Sequence, residues 1–470
     1  MKKTKIICTI GPSVNTEEMI TGLISNGMDC ARFNFSHGTH ESQKEMIDLV
    51  KKASLNSDKA VAILLDTKGP EIRLKDFVNG SVVLKKGQTF ILDTNETLLG
   101  DENRIGLSYH ELAKTLKPGT QILIDDGKID MTLTEVKDDS LICKVVVGGK
   151  VSNHKSINIP NVAIPMPFLS EADKSDLLFG ISQGVDFVAA SFVRTKEDVI
   201  DLKKFLAANG GEKIEVISKI ENIQGVNNFD EILQVTDGIM VARGDLGVEI
   251  PFKDIPALQK SMIHKCNKYG KLVVVATQML ESMTSSPRPT RAEVSDVANA
   301  VFDGTVDIML SGESASGLYP LKAVETMSDI AQSAESSFSA VSSFENVYDI
   351  PQGISEAICR SAYDASNYIH AKAIIVVTRS GRSAKQISSF KPTCPIIAVA
   401  LSPRGKRQLA LYYNTFPVQA DEKNSFNELI SYGKEKALAT GLVQKDDKVV
   451  IVIGSLQEEG YTDTVRISTL

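Results

Sequence analysis

The chain has 470 residues, 42% hydrophobic and 24% charged, with a net charge of −7. That length exceeds a single hydrophobic core and implies two or three domains, and the acidic balance argues against a general nucleic-acid binder, which needs a basic face. The six cysteines (Cys8, Cys30, Cys143, Cys266, Cys359, Cys394) lie far apart with no C-x-x-C, a pattern of neither a disulfide framework nor a zinc site.

Met1-Lys2-Lys3-Thr4-Lys5 leads straight into Ile6-Ile7-Cys8-Thr9-Ile10, an apolar stretch too short for a signal-peptide core. No run approaches the roughly 18 apolar residues of a membrane span, and reduced thiols fit a cytoplasmic protein. Short apolar runs then alternate with amphipathic stretches. They fall at 5–10, 30–35, 60–65, 187–191, 213–217, 238–241, 272–276 and 307–310. Buried strands alternating with helices predict a parallel α/β sheet, and eight of them predict a closed (β/α)8 TIM barrel. Pro289-Thr290-Arg291-Ala292-Glu293 reads as the start of one of the helices.

More than a hundred residues separate Asp66-Thr67-Lys68-Gly69-Pro70 from Phe187. Within them, 71–77, 81–84, 89–92, 121–125, 131–136 and 141–147 are short, partly alternating and split by Gly, Asn and Asp. This texture predicts a small β-barrel lid domain inserted after the third strand, with hinges at Pro70 and Pro165-Met166-Pro167. The expected division is a barrel of 1–69 plus 168–346, an inserted β lid of 70–167, and a C-terminal α/β domain of 347–470. Its buried runs are 374–377, 396–400 and 449–453.

In a barrel of this kind, chemistry sits at the carboxyl ends of the strands. Lys219 and Glu221 are two apart at the end of the fifth run, so they face one side. Asp245 follows the sixth run and reaches the same space. Two carboxylates beside one ammonium suit a hard divalent cation that holds a phosphate next to a positive charge. After the second run, Arg32, Asn34 and Ser36 alternate with two phenylalanines; an Arg offers a planar fork for phosphate. Asn34, Ser36 and Asp66 form a mostly neutral oxygen set suited to a monovalent cation. The seventh run exits through Thr277-Gln278, the eighth through Ser311-Gly312-Glu313-Ser314.

There is no G-x-x-x-x-G-K-[ST] and no clear dinucleotide fingerprint, so a nucleotide must be held by scattered cations and metal. Arg73 and Lys155, near the two ends of the insertion, are candidates carried by a closing lid. In the last domain, Thr378-Arg379-Ser380-Gly381-Arg382-Ser383 follows a buried run and reads as an anion site at a helix start. Residues 454–462 read as a loop facing it.

Together these stretches resemble the pyruvate kinase family: 8–13, 31–38, 65–73, 218–222, 242–247, 276–283 and 288–319 all look like its signatures. The resemblance covers the whole chain in order. It implies the barrel, the β lid and the C-terminal regulatory domain. It also implies transfer of the phosphoryl group of phosphoenolpyruvate to ADP, giving pyruvate and ATP, with Mg2+ (or Mn2+) and K+ as cofactors. Carried over residue by residue, it places Arg32 and Lys219 at the transferring phosphoryl group. Asn34, Ser36, Asp66 and the Thr67 carbonyl fall on K+, and Glu71 on the position that goes with K+ dependence. Glu221 and Asp245 fall on Mg2+, and the Gly244 and Asp245 amides on the substrate carboxylate. Thr277 falls on the face where the enolate is protonated. Asn34, His37, Arg73 and Lys155 match nucleotide-contacting positions. Thr378, Arg379, Ser380, Gly381, Arg382 and Ser383 match an effector phosphate loop. Residues 421–429 contain neither Trp nor Arg, unlike animal members activated by fructose 1,6-bisphosphate, which argues against that activator and leaves a sugar monophosphate or AMP open. The resemblance further implies a cytoplasmic homotetramer, and a chain ending at Leu470 without the extra C-terminal domain of some bacterial members.

Two other readings compete. A Mg2+-dependent carbon–carbon lyase on a similar barrel also stabilises a pyruvate enolate, but has no ADP for a lid to cover. A non-catalytic binding protein has no need of Lys219, Arg32, Glu221 and Asp245 together.

Overall fold

The computed structural model describes residues 2–95, 97–337, 353–421, 425–454 and 461–470. Eight parallel strands close into a barrel: β1 Lys5–Thr9, β2 Cys30–Asn34, β3 Ala62–Asp66, β4 Phe187–Ala190, β5 Glu215–Ile220, β6 Gly238–Ala242, β7 Leu272–Ala276 and β8 Asp307–Leu310. Each pairs with its sequence neighbours, and β8 returns to β1 through Lys5↔Asp307. The strands are apolar for most of their length, with most polar residues gathered towards their ends, because the barrel interior and the outer helices bury both of their faces; Ile6, Leu64, Val216 and Val274 are all fully buried.

Helix starts follow local chemistry. Thr290 caps Arg291–Phe302, and Glu293 returns the bond in a capping box, as the sequence predicts. Thr39, Ser170 and Thr195 do the same for His40–Asn56, Glu171–Gln183 and Lys196–Ala208. Two boundaries differ from expectation. Strand β5 spans 215–220 rather than the predicted run of 213–217, so Lys219 lies within it and Glu221 directly follows. After β6 the chain turns at once into a short helix, Arg243–Glu249, which carries Asp245.

The insertion is mostly β, with one short helix at Leu112–Thr115 where the sequence predicts strands alone. Seven strands form one sheet, and Ser81–Leu84 with Gly149–Ser152 form a two-stranded ribbon. The outermost strands of the sheet, Ile72–Arg73 and Arg104–Gly106, meet through a Leu74↔Leu107 bridge. Lys75 N–H donates to the Gly106 carbonyl (2.9 Å) and Ser108 N–H to the Arg73 carbonyl (3.0 Å), which draws the sheet towards closure. Phe90, Leu92, Ile122 and Leu133 give the insertion a core of its own.

The last part is a five-stranded sheet: β9 Ala373–Thr378, β10 Ile396–Ala400, β11 Thr415–Gln419, β12 Lys448–Gly454 and β13 Thr462–Thr469, ordered β11-β10-β9-β12-β13. Only β13 is antiparallel. Alternate residues serve two layers. Ile374, Val376 and Ala398 join the barrel's hydrophobic cluster, while Ile375, Val377 and Val399 fill a separate core. Among the described residues, no helix is long and apolar enough to cross a membrane, and the six cysteines are unpaired.

Candidate active site

The polar strand exits converge as a bonded cluster. Lys219 Nζ, from β5, lies 3.1 Å from Asp66 Oδ1 and 2.9 Å from Glu221 Oε1. It donates to Ser191 Oγ at 2.7 Å. From β2, Arg32 Nε donates to Asp66 Oδ2 (2.6 Å) and its NH1 to Thr9 Oγ1 (2.8 Å). Asp66 thus holds both cations, and they hold its pKa below the ordinary value although burial pushes the other way. Burial also opposes the charge on Lys219, but Asp66 and Glu221 more than offset it, so its pKa is raised and it stays an ammonium.

Glu221 is 1% exposed. Burial pushes its pKa up to about 7 against the pull of Lys219, with Asp245 and Asp66 adding to the rise. Asp245 shares a hydrogen bond with Glu221, and its own pKa is raised by burial. The Glu71 carboxyl is likewise raised, first by burial, and its charge is felt by Asp245. Three carboxylates held against one another at the cost of their ionisation form a site that a cation relieves. Among the described residues there is no group of three or more His, Cys, Asp and Glu side chains arranged as a metal cage. Two carboxylates with substrate and water oxygens are what Mg2+ commonly takes, and Glu221 and Asp245 fit that pattern.

Asn34 and Asp66 are register partners on β2 and β3. Asn34 Oδ1 accepts from the Ser36 N–H (3.0 Å), and the Thr67 carbonyl accepts from Ser191 Oγ (2.6 Å). These oxygens, gathered at adjoining strand exits with lone pairs to spare, fit a monovalent cation. Near β7, Gly244 N–H donates to Thr277 Oγ1 (2.8 Å), and Thr277 Oγ1 donates to the Ala276 carbonyl (2.6 Å). The Gly244 amide expected at a carboxylate is therefore already engaged.

The other expected contacts lie outside the cluster. His37 is exposed in the turn after β2, where its N–H donates to the Asn34 carbonyl (3.3 Å). Arg73 pairs with Glu71 (2.6 Å) and donates to the His154 carbonyl (2.8 Å), while Lys155 pairs with Asp125 (2.8 Å). The two cations share a corner of the lid, since Leu74 N–H donates to the Lys155 carbonyl (2.9 Å). A cavity of about 860 Å³ opens between the lid and the barrel, with Asp126, Asn161, Gly244, Asp245 and Gln278 in its wall.

In the last domain, Gly381 N–H donates to Thr378 Oγ1 (2.9 Å) and Gly381 takes φ +82°, the left-handed region open to glycine. The helix Arg382–Ser389 starts there, with Arg382 paired to Glu356 (3.1 Å) and the Ser383 hydroxyl against that of Thr462. Arg379 and Ser380 line a cavity of about 550 Å³ between this domain and the barrel. Residues 455–460 of the expected facing loop and 422–424 of the stretch lacking Trp and Arg lie outside the described residues, as does the expected 346/347 boundary.

Sequence reasoning missed Ser191 and Thr9. Each is the last or next residue of an apolar run, β4 and β1, and the rule used for the other six exits finds both. Ser191 is 2% exposed and bonds Lys219, Asp66 and the Thr67 carbonyl at once. It also missed the Phe192 amide, which donates to Glu221 Oε2 (2.7 Å).

A (β/α)8 barrel whose exits gather a lysine, an arginine and coupled carboxylates beneath a β lid defines a phosphotransferase. Sequence models described as pyruvate kinase, barrel domain, and pyruvate kinase, alpha/beta domain, match residues 1–324 and 356–468. Relatives named pyruvate kinase include that of Clostridium acetobutylicum, 48% identical over the full length of both chains. That of Clostridium perfringens is 46% identical over 97% of this chain and 96% of its own. That of Bacillus licheniformis is 42% identical over 99% of this chain and 80% of its own. The chain belongs to the pyruvate kinase family. Its reaction is phosphoryl transfer from phosphoenolpyruvate to ADP, giving pyruvate and ATP.

Proposed function

We propose that Lys219 and Arg32 receive the phosphoryl group of phosphoenolpyruvate and stabilise its charge during transfer, and that Thr277 stands on the face where the enolate takes up its proton. The observation that carries this reading is the Lys219 ammonium, fixed between Asp66, Glu221 and Ser191 at 2.7–3.1 Å. Phosphoryl transfer needs positioning and charge neutralisation more than covalent chemistry, and a preset ammonium supplies both. Glu221 and Asp245 hold Mg2+ (or Mn2+), which supplies charge neutralisation to phosphate and enolate oxygens when bound. Asn34, Ser36, Asp66 and the Thr67 carbonyl hold K+, with Glu71 setting the need for it. Arg73, Lys155 and His37 act on the nucleotide once the lid moves. The Gly244 and Asp245 amides take the substrate carboxylate, Gly244 by releasing Thr277.

The Thr378–Ser383 turn takes the phosphate of a regulatory ligand, a sugar monophosphate or AMP. We further propose a homotetramer working in the cytoplasm, divided at 69/70, 167/168 and 346/347. The supports are the separate cores of barrel and lid and the unpaired thiols.

The test measures pyruvate formed from phosphoenolpyruvate, ADP and Mg2+ in K+ and then Na+ buffer, with Lys219→Met alongside. Wild type turns over and needs K+, whereas Lys219→Met loses transfer yet still exchanges the methyl protons of pyruvate. Equal rates in both buffers discard the K+ set; normal transfer by Lys219→Met discards the lysine's role.

A further inference from the structure

The exit of β7 is the most strained backbone of the site. Thr277 has φ +68° and Gln278 φ +54°. Most other non-glycine residues with positive φ are Asp, Asn, His or Lys; Thr277 is the β-branched one among the described residues. A β-branched side chain in the left-handed region is a genuine outlier, and such a conformation persists only where its surroundings hold it. Here the surroundings do so through one side chain. Arg243, the residue after β6, directs its Nε to the Ala276 carbonyl (3.3 Å) and its NH2 to the Thr277 carbonyl (2.6 Å) and Met279 Sδ (2.8 Å). Its NH1 lies against both oxygens of Asp296 (2.8 and 2.6 Å). Asp296 sits on Arg291–Phe302, the helix that follows β7. All three guanidinium nitrogens are committed, two of them to the successive carbonyls that must turn for Thr277 to leave the strand.

We infer that Arg243 is a positioning residue for Thr277, and that the Asp296–Arg243 pair acts as a clamp on the proton-transfer face of the site. The fork sets where the Thr277 hydroxyl sits, and Gly244 N–H, next in sequence to Arg243, fixes its orientation. A lysine offers one point of charge and no fork, so it cannot span both carbonyls and the carboxylate. The inference rests on the phosphoryl-transfer reading and deepens it: the clamp serves the protonation half of the reaction, while Lys219 serves the transfer half.

The experiment compares Arg243→Lys, Arg243→Ala and Asp296→Asn in the full-length enzyme. It follows turnover, the KM for phosphoenolpyruvate and deuterium exchange into the methyl group of pyruvate by NMR. Misplacing a reacting group by about 1 Å costs on the order of a hundredfold. Arg243→Lys should therefore lose about that factor in both turnover and exchange, with KM changed less than about threefold, and Asp296→Asn should fall between it and wild type. Added guanidinium at millimolar concentration should restore part of the rate to Arg243→Ala and none to Arg243→Lys. If Arg243→Ala does not fold, Arg243→Lys, which keeps size and charge, carries the test. Full exchange and turnover in Arg243→Lys, or a loss confined to KM, overturns the clamp. A wild-type enzyme that makes no pyruvate overturns the phosphoryl-transfer reading instead.

Discussion

Glu221 and Lys219 show how two residues of one strand end acquire different duties from one environment. Asp66 keeps the lysine charged, while burial and neighbouring acids push the Glu221 carboxyl up to about 7. With no cation bound, Glu221 is then half protonated near neutral pH, and a divalent cation must displace that proton. The raised pKa fixes the sign: Mg2+ affinity should climb about tenfold per pH unit below pH 7 and level off above it. Calorimetry at pH 6, 7 and 8 measures it, and equal affinity at pH 6 and 8 would show that the cation displaces no proton from Glu221 in that range. The two-residue spacing was enough to foresee that Lys219 and Glu221 face one space, because a strand has a period of two. Ser191 was not foreseen although it stands at a strand exit like the others; its place in sequence marks it as a candidate, and the contacts supply its bonds to Lys219 and the Thr67 carbonyl.

Strand exits, more than strands, make this site specific. Gly69 closes the turn after Asp66-Thr67 with φ +73°, and a Cβ there would stand 2.9 Å from both the Cβ and the carbonyl oxygen of Ser191. The third and fourth exits thus pack backbone against backbone. Gly69→Ala should displace Ser191 and, through it, Lys219; we expect turnover to fall at least about tenfold, with stability lowered by about 1–2 kcal/mol. Steady-state kinetics beside a urea titration separate the two effects, and wild-type turnover would show that the loops yield freely. Apolar runs revealed all eight barrel strands to within a few residues, since burial on both faces leaves an unbroken hydrophobic signal. The insertion was legible as a β domain, yet its short strands, such as Arg104–Gly106 and Ser156–Asn158, were not. Three residues carry too little periodicity to register. In the last domain β13 was missed for a different reason: it is a half-exposed edge strand, and Asp463 and Arg466 break its apolar signal.

Between the barrel and the C-terminal sheet, charged pairs join the two blocks. Arg407 grips Asp186, which is fully buried, with contacts of 2.9–3.1 Å, and Asp186 also accepts from the Ile63 N–H (3.0 Å). Glu215, the first residue of β5, meets Lys385 and accepts from Tyr412 Oη (2.6 Å). Arg407→Ala strands a buried carboxylate whose pKa burial already raises, against the pull of Arg407. The expected loss is about 3 kcal/mol, the low end for breaking a buried pair, because Arg407 keeps 29% of its side chain in water. Guanidinium unfolding followed at the C-terminal tyrosines would measure it, and an unchanged midpoint would mean that Asp186 simply protonates. Composition and run lengths were enough to foresee three parts but not this seam, because its partners lie more than 150 positions apart and pair only once both parts have folded.

The seam has a mechanical consequence. A strand inside a closed barrel is hydrogen-bonded on both sides, so β5 cannot slide past its neighbours without breaking two ladders at once. Anything that pulls on Glu215 from the Lys385 helix therefore moves the barrel as a rigid casting. The inserted sheet stands outside that casting: it has a core of its own and is joined to the barrel by two crossings of the chain.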